Sequence, residues 1–201
     1  NLCTKYLFDV LSDNGYLDVA WRLLTQTTYP SWGYMLANGA TTIWERWEHV
    51  TTGEMCGMAS HNHPMYGSIS AWFYKYLAGI RISDGGESFK KITIQPYYPK
   101  ELDWVKASVN TVRGLIISEW EKKGEQVQLN VTIPGNSQAE IRLPVNYSCN
   151  PEVFVNGVSV WNEKGLIDRI SGLIHAEEQD NYVVFIVRSG SYQFSYAVSN
   201  L

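Results

Sequence analysis

The sequence predicts an α+β, multidomain chain in which helical hairpins come first and an antiparallel β-sandwich follows. Two observations carry this. Apolar residues recur at three- and four-residue steps up to about Ile82, then at two-residue steps beyond Ser83-Asp84-Gly85-Gly86. The second half also has frequent turn dipeptides and no helical stretch between its apolar runs. The expected domains are 1–82 and 83–201.

Each element has its own warrant. Cys3, Tyr6, Leu7, Val10 and Leu11 mark a first helix, stopped by Ser12-Asp13-Asn14-Gly15 with Gly15 suited to a left-handed cap. Leu17, Ala20, Trp21 and Leu24 mark a second, ending before Tyr29-Pro30 because a residue ahead of proline disfavours helix. Tyr29 to Ala40, with Pro30, Gly33 and Gly39, reads as a long loop. A short third helix is expected to begin near Thr41 or Thr42. Ile69, Trp72, Phe73, Tyr76, Leu77 and Ile80 give the clearest helical stripe. In the second half, Val127, Leu129, Val131 and Ile133 alternate with polar residues, and so do Ala139, Ile141 and Leu143. Lys123-Gly124 and Asn156-Gly157 fall where hairpin turns belong. Tyr182 to Val187 and then Tyr192, Phe194 and Tyr196 complete the strand set. The helices are too few to close an obvious bundle, so they are expected to end a larger helical array; a small independent bundle is the alternative.

Composition narrows the function. The 201 residues are 45% hydrophobic and 18% charged, with a formal net charge of −4, which gives no electrostatic reason to bind nucleic acid or an acidic membrane surface. No apolar run approaches the roughly 20 residues that span a bilayer, so neither nucleic acid nor membrane is expected as a partner. Cys3, Cys56 and Cys149 are odd in number and far apart, and read as free thiols rather than a disulfide framework. His49, Cys56, His61 and His63 match no defensible zinc-ligand spacing. Asn130-Val131-Thr132 and Asn146-Tyr147-Ser148 match the glycosylation triplet, which arises often by chance. Eight Trp and thirteen Tyr are many for this length, with several Trp between Tyr29 and Trp72. Aromatic faces suit the C–H faces of sugars, although they are also ordinary core filler.

The span Gly39-Ala40-Thr41-Thr42-Ile43-Trp44-Glu45-Arg46-Trp47 resembles the G-A-T-T-x-W-E-x-W segment of family 78 α-L-rhamnosidases. Its neighbours agree in order: Pro30-Ser31-Trp32-Gly33 before it, and Asn62-His63 with Gly67 after it. Thr132-Ile133-Pro134, Val155-Asn156-Gly157 and Gly190-Ser191-Tyr192 are similar to the family's C-terminal sandwich. This sequence departs from commoner members at His63-Pro64-Met65, where an aromatic often follows the histidine. The resemblance implies the terminal helices of a six-hairpin α/α barrel followed by the sandwich, in an inverting glycosidase that removes terminal rhamnose. It implies Glu45 as general base, a general acid on an upstream part of the catalytic domain, and Trp32, Trp44, Trp47, Asn62 and His63 as sugar contacts. No cofactor and no metal are expected. The expected partners are a rhamnose-containing glycoside or polysaccharide and that upstream part of the catalytic domain.

Inverting hydrolysis needs one carboxyl group to protonate the leaving oxygen and another to deprotonate the attacking water. Spacing alone gives Glu45 a different role, since Thr42-Ile43-Trp44-Glu45 fits a capping box. Two further functions fit the same residues. One is a non-catalytic carbohydrate-binding sandwich with Trp104, Trp120 and Trp161 as its exposed aromatics. The other is a helical-barrel glycosidase for a different sugar. The compartment stays open: a secreted, periplasmic or cytoplasmic location is each compatible with the sequence.

Overall fold

The computed structural model describes residues 3–48, 60–144 and 151–198. His49, Cys56, Cys149 and the Asn146-Tyr147-Ser148 triplet lie outside them. The chain forms two units, Asn1–Phe73 and Tyr74–Leu201.

The first unit is helical. Helix α1 (Thr4–Asp13) ends as its sequence predicts: Tyr16 N–H donates to the Leu11 carbonyl at 2.8 Å and Gly15 N–H to Ser12 at 3.2 Å. This paired closure needs a left-handed residue, and Gly15 supplies it at φ +83°. Helix α2 (Leu17–Thr25) follows and buries Ala20. The expected loop from Tyr29 to Ala40 instead contains a helix, α3 (Trp32–Ala37), capped by Ser31, whose hydroxyl accepts from Tyr34 N–H at 2.9 Å. Gly33 is no breaker there. A β-carbon on it would lie 2.5 Å from the Gln26 carbonyl oxygen, so the glycine lets α3 touch the chain leaving α2.

The helix expected near Thr41 is absent, and residues 41–48 form bends. The capping groups are used elsewhere: the Thr42 hydroxyl donates to the His61 carbonyl, and the Glu45 carboxylate binds Ser60 N–H. The clearest helical stripe is also shorter than its pattern. Helix α4 (Ile69–Trp72) runs into a π-helical turn, Phe73–Leu77, and Ile80 already belongs to a strand. Gly79 ends the helix at φ +74°, with no room for a β-carbon against the Gln95-Pro96 backbone.

The apolar stripe of α1 is not what this unit buries. Phe8 and Ser12 face inward, while Tyr6, Leu7 and Val10 remain exposed. Ser12 accepts from the Trp72 indole N–H at 2.8 Å, and Phe8 meets the edges of Trp32 and Trp72 at 5.4 and 5.9 Å.

The second unit is a strand-rich sheet folded on itself. Its strands are β1 (Ile80–Ile82), β2 (Lys91–Ile94), β3 (Trp104–Thr111), β4 (Gly114–Lys123), β5 (Gln126–Pro144), β6 (Val153–Val155), β7 (Val158–Asn162), β8 (Gly165–Leu166), β9 (Leu173–Gln179) and β10 (Tyr182–Ala197). The two alternating runs at Val127–Ile133 and Ala139–Leu143 lie on one strand, β5, rather than two. It pairs along its length with β10, from Tyr182↔Pro144 to Ala197↔Gln126, with a break between Arg188 and Gly190. Beyond that break the sheet returns over itself: Phe185 lies 5.5 Å from Phe194 and 6.2 Å from Trp161. The pairings are antiparallel except β2–β5, which is parallel with Lys91 opposite Gln138. The turns at Gly124 and at Asn156-Gly157 adopt the positive φ that tight hairpins require. The Trp120 indole N–H donates to the Leu77 carbonyl and the Ser118 hydroxyl to the Ala78 carbonyl, each at 2.7 Å, which fixes the end of the π-helical turn on β4.

No helix among the described residues is long and apolar enough to cross a membrane. Trp120 and Trp161 are buried, so of the three aromatics a sugar-binding sandwich would expose, only Trp104 is at the surface.

Candidate active site

The residues singled out by sequence gather on two stretches of the first unit, 41–48 and 60–66. These run side by side because their backbones pair. His63 N–H donates to the Ile43 carbonyl at 2.8 Å, and Glu45 N–H to the Ser60 carbonyl at 2.9 Å. Ser60 returns a bond from its own N–H to Glu45 Oε2 at 3.0 Å. The Ser60 hydroxyl accepts from Asn62 N–H at 3.1 Å. Ser60 therefore holds Glu45 at both backbone and side chain.

Glu45 is half-buried. One carboxylate oxygen carries the charge-assisted bond from Ser60, a class roughly twice as strong as a neutral hydrogen bond. The other oxygen, Oε1, has no hydrogen-bond partner among the described residues. Such a carboxylate is oriented through Oε2 and, among the described residues, keeps Oε1 available to accept.

His63 caps the 3₁₀ turn Pro64–Tyr66, its Nδ1 accepting from Met65 N–H at 3.1 Å. A neutral imidazole that accepts at Nδ1 carries its proton on Nε2, so Nε2–H is the group left to donate. Asn62 is exposed beside it.

The tryptophans differ among themselves. Trp44 is only 3% exposed and stacks on His61 at 4.9 Å. Trp32, at the start of α3, is half-buried; its indole N–H donates to the Tyr66 carbonyl at 3.3 Å. Trp47, also half-buried, stacks on Tyr66 at 3.8 Å and meets Trp32 nearly perpendicular at 5.0 Å. Met35, Trp44 and Tyr66 form the buried centre of this cluster.

Sequence reasoning missed several members. Ser60 and His61 carry no motif beyond their nearness to Asn62. Tyr66 is fully buried, and its hydroxyl has no hydrogen-bond partner among the described residues. Burial, with smaller contributions from Glu48 and Tyr29, pushes its phenol up to about 12. The Tyr29 hydroxyl donates to Glu48 Oε1 at 3.1 Å, and that bond raises the Tyr29 phenol above its ordinary value. The Tyr29 and Glu48 pairing joins the start of the α3 segment to the end of the 41–48 stretch. Among the described residues no three His, Cys, Asp or Glu side chains cluster as metal ligands.

Comparison with known proteins assigns the chain to a family. Residues 1–77 match the bacterial alpha-L-rhamnosidase 6 hairpin glycosidase domain, and residues 79–150 match the bacterial alpha-L-rhamnosidase C-terminal domain. An alpha-L-rhamnosidase of Formosa agariphila is 39% identical over 173 residues, covering 81% of this chain and 18% of that protein. The solved alpha-L-rhamnosidase of Dictyoglumus thermophilum superposes with a TM-score of 0.85 at 38% identity, covering 97% of this chain and 20% of that one. That of Streptomyces avermitilis, solved in complex with L-rhamnose, gives a TM-score of 0.79 at 31% identity over 96% of this chain and 17% of its own. This chain thus spans a fifth or less of the length of these relatives. Its first unit is part of a six-hairpin glycosidase domain and its second is that family's strand-rich C-terminal domain: the chain belongs to the bacterial α-L-rhamnosidases.

Proposed function

We propose that this chain forms the C-terminal part of an inverting α-L-rhamnosidase and supplies its general base, Glu45. The observation that carries the proposal is the divided carboxylate: Oε2 is anchored by Ser60 N–H while Oε1 has no partner among the described residues. In the reaction, Oε1 takes a proton from a water molecule as that water attacks the anomeric carbon of a terminal rhamnose. A second carboxyl group, on an upstream part of the catalytic domain, protonates the departing glycosidic oxygen. Inversion needs those carboxyl groups roughly 6.5–9.5 Å apart, so that a water fits beside the sugar. His63 donates Nε2–H to a sugar hydroxyl, with Asn62 next to it. Trp32 and Trp47, the less buried indoles, offer apolar surface to a sugar that carries a methyl group in place of a 6-hydroxyl. Trp44, buried with Met35 and Tyr66, belongs to the cluster against which both indoles pack.

The exposed stripe of Tyr6, Leu7 and Val10 on α1 supports the placement of these helices within a larger helical domain. The rhamnose-containing glycoside or polysaccharide is the substrate in this proposal, and the upstream part of the domain is the partner. Glu45→Gln, made in the longer enzyme that carries this segment, is expected to lower kcat on an aryl rhamnoside by about 10²–10⁴-fold. Far-ultraviolet circular dichroism should stay unchanged. Turnover within a few-fold of the parent would overturn the assignment. The 201-residue chain alone should release no rhamnose, and full turnover by it would place the acid within these residues instead.

A further inference from the structure

The second unit holds a cleft of about 480 Å³ that the proposed hydrolysis does not use. It lies where the β5–β10 register is interrupted, between Gln138 and Ile133 on β5 and between Arg188 and Gly190 on β10, and is lined by Lys90, Lys91, Asn136, Gln138, Arg188 and Ser189 among others. The strand register explains its charge. Gln138 on β5 is opposite Lys91 on β2 and opposite Arg188 on β10. Those three residues therefore occupy one row across adjacent strands and share one face of the sheet. Their neighbours Ile92, Ala139 and Val187 are buried, so the row points away from the core. Strands spaced about 4.8 Å apart put the two cationic residues about 10 Å from each other, with an amide between them.

The cleft is built rather than accidental. The Ser137 hydroxyl, itself buried, donates to the Phe89 carbonyl at 2.9 Å. Arg113 bonds the carbonyls of Ser88 at 2.8 Å and Asn136 at 3.3 Å, tying both sides of the rim together. Gln138 N–H donates to the Lys90 carbonyl at 3.0 Å. Among the described residues, no carboxylate lies within ion-pair distance of Lys90, Lys91 or Arg188. The carboxylate nearest along β5, Glu140, pairs with Arg142 at 3.6 Å. In a chain whose net charge is −4, three unneutralised cations in one concavity form a local reversal of sign.

We infer that this cleft binds an acidic saccharide, its carboxylate or sulfate group seated between Lys91 and Arg188. A cleft of this size suits a small ligand. No aromatic or aliphatic side chain lines it, so it offers no stacking surface for a nucleobase or an acyl chain. The amides of Asn136 and Gln138 and the hydroxyl of Ser189 match sugar hydroxyls, which both donate and accept. The preference for an anion stands on the cleft alone. The saccharide carrier rests on the proposed glycosidase reading, and binding is measured here without reference to Glu45 or turnover, so the two fail separately.

The test is calorimetric titration of the whole chain at low salt with an oligogalacturonate, its methyl ester, and a sulfated oligosaccharide of equal length. Binding of either acidic ligand is expected, and the tighter of the two identifies the anion. Affinity should weaken as salt rises. The double variant Lys91→Gln/Arg188→Gln should lose about tenfold or more in affinity. Both positions are exposed, so its thermal melt should match the parent's. Lys164→Gln, on a remote turn, should bind as the parent does. Equal binding of the methyl ester, no binding of either acid, an unchanged double variant, or an equal loss with Lys164→Gln would each overturn the inference.

Discussion

The two units spend similar aromatic residues on opposite ends. In the second, Trp120, Trp161, Phe185, Phe194 and Tyr196 sit in one continuous core that runs through both halves of the folded sheet. In the first, Met35, Trp44 and Tyr66 form one small buried cluster with Trp32 and Trp47 half-covered against it, and Phe8, Ala20, Ile69 and Trp72 are buried as well. Its longest helix leaves Tyr6, Leu7 and Val10 exposed. An element that is finished packs its large side chains away from water. One that still has a partner or a ligand to meet keeps them at the edge. The sheet is organised around one large core, although Trp104 and Val112 stay exposed on it, and the helical unit is organised around the 41–48 and 60–66 stretches.

That contrast is broken or sharpened first by cutting into the finished core. Phe185 is fully buried between Trp161 and Phe194. Phe185→Ala should cost about 3–5 kcal/mol, because the cavity lies where both halves of the sheet meet and neither can collapse freely. Denaturant titration followed by the sheet's circular dichroism measures it. A loss below ~1 kcal/mol would mean that the core is not continuous.

The next effect lies in the helical unit, where packing is tight at one backbone contact rather than across a core. Gly33→Ala places a methyl group 2.5 Å from the Gln26 carbonyl oxygen. A backbone atom cannot swing aside as a side chain does, so α3 must shift. About 1–3 kcal/mol of destabilisation is expected, the usual range for overpacking. Trp32 begins α3, so its fluorescence should change as well; a variant as stable as the parent with an unaltered spectrum would remove the close contact argued here.

How much of this was legible in the sequence follows from where each residue's partner lies. The α1 stop was readable because Gly15 closes it on Ser12 and Leu11, within one turn. The alternating strands were readable because period two follows from one buried face, and Val127, Leu129, Val131 and Ile133 are all buried. Gly33 was misread because its requirement comes from Gln26, across a turn. Thr42 and Glu45 satisfy the local spacing of a cap, yet each bonds a residue fifteen or more positions away. Spacing cannot report such a partner. The grouping of Glu45, Trp44, Asn62 and His63 was legible only through family resemblance, and Ser60, which fixes Glu45, carried no signal at all. The basic cleft was equally hidden, since Lys91, Gln138 and Arg188 meet only through strand register.

The smallest expected effect separates the two units by their buried tyrosines. In the sheet, Tyr98 and Tyr196 hydroxyls share a hydrogen bond, and burial raises both phenols. In the helical unit the Tyr66 hydroxyl is buried with no partner among the described residues. Removing an unsatisfied hydroxyl should cost nothing and can stabilise, whereas removing one of a bonded pair strands the other. Tyr66→Phe is therefore expected to change stability by about 0–1 kcal/mol in the favourable direction, and Tyr196→Phe to destabilise. The pH dependence follows from the same geometry. The folded Tyr66 phenol titrates near 12 against 10.0 when unfolded, so its contribution is whole below pH 10 and is lost as pH rises toward 12. Tyr66→Phe should flatten the alkaline fall in stability over that window and leave the slope of stability against pH near neutrality unchanged. A Tyr66→Phe variant that is clearly less stable at neutral pH would show that the hydroxyl has a partner, and that the helical unit is more fully satisfied than its open edges imply.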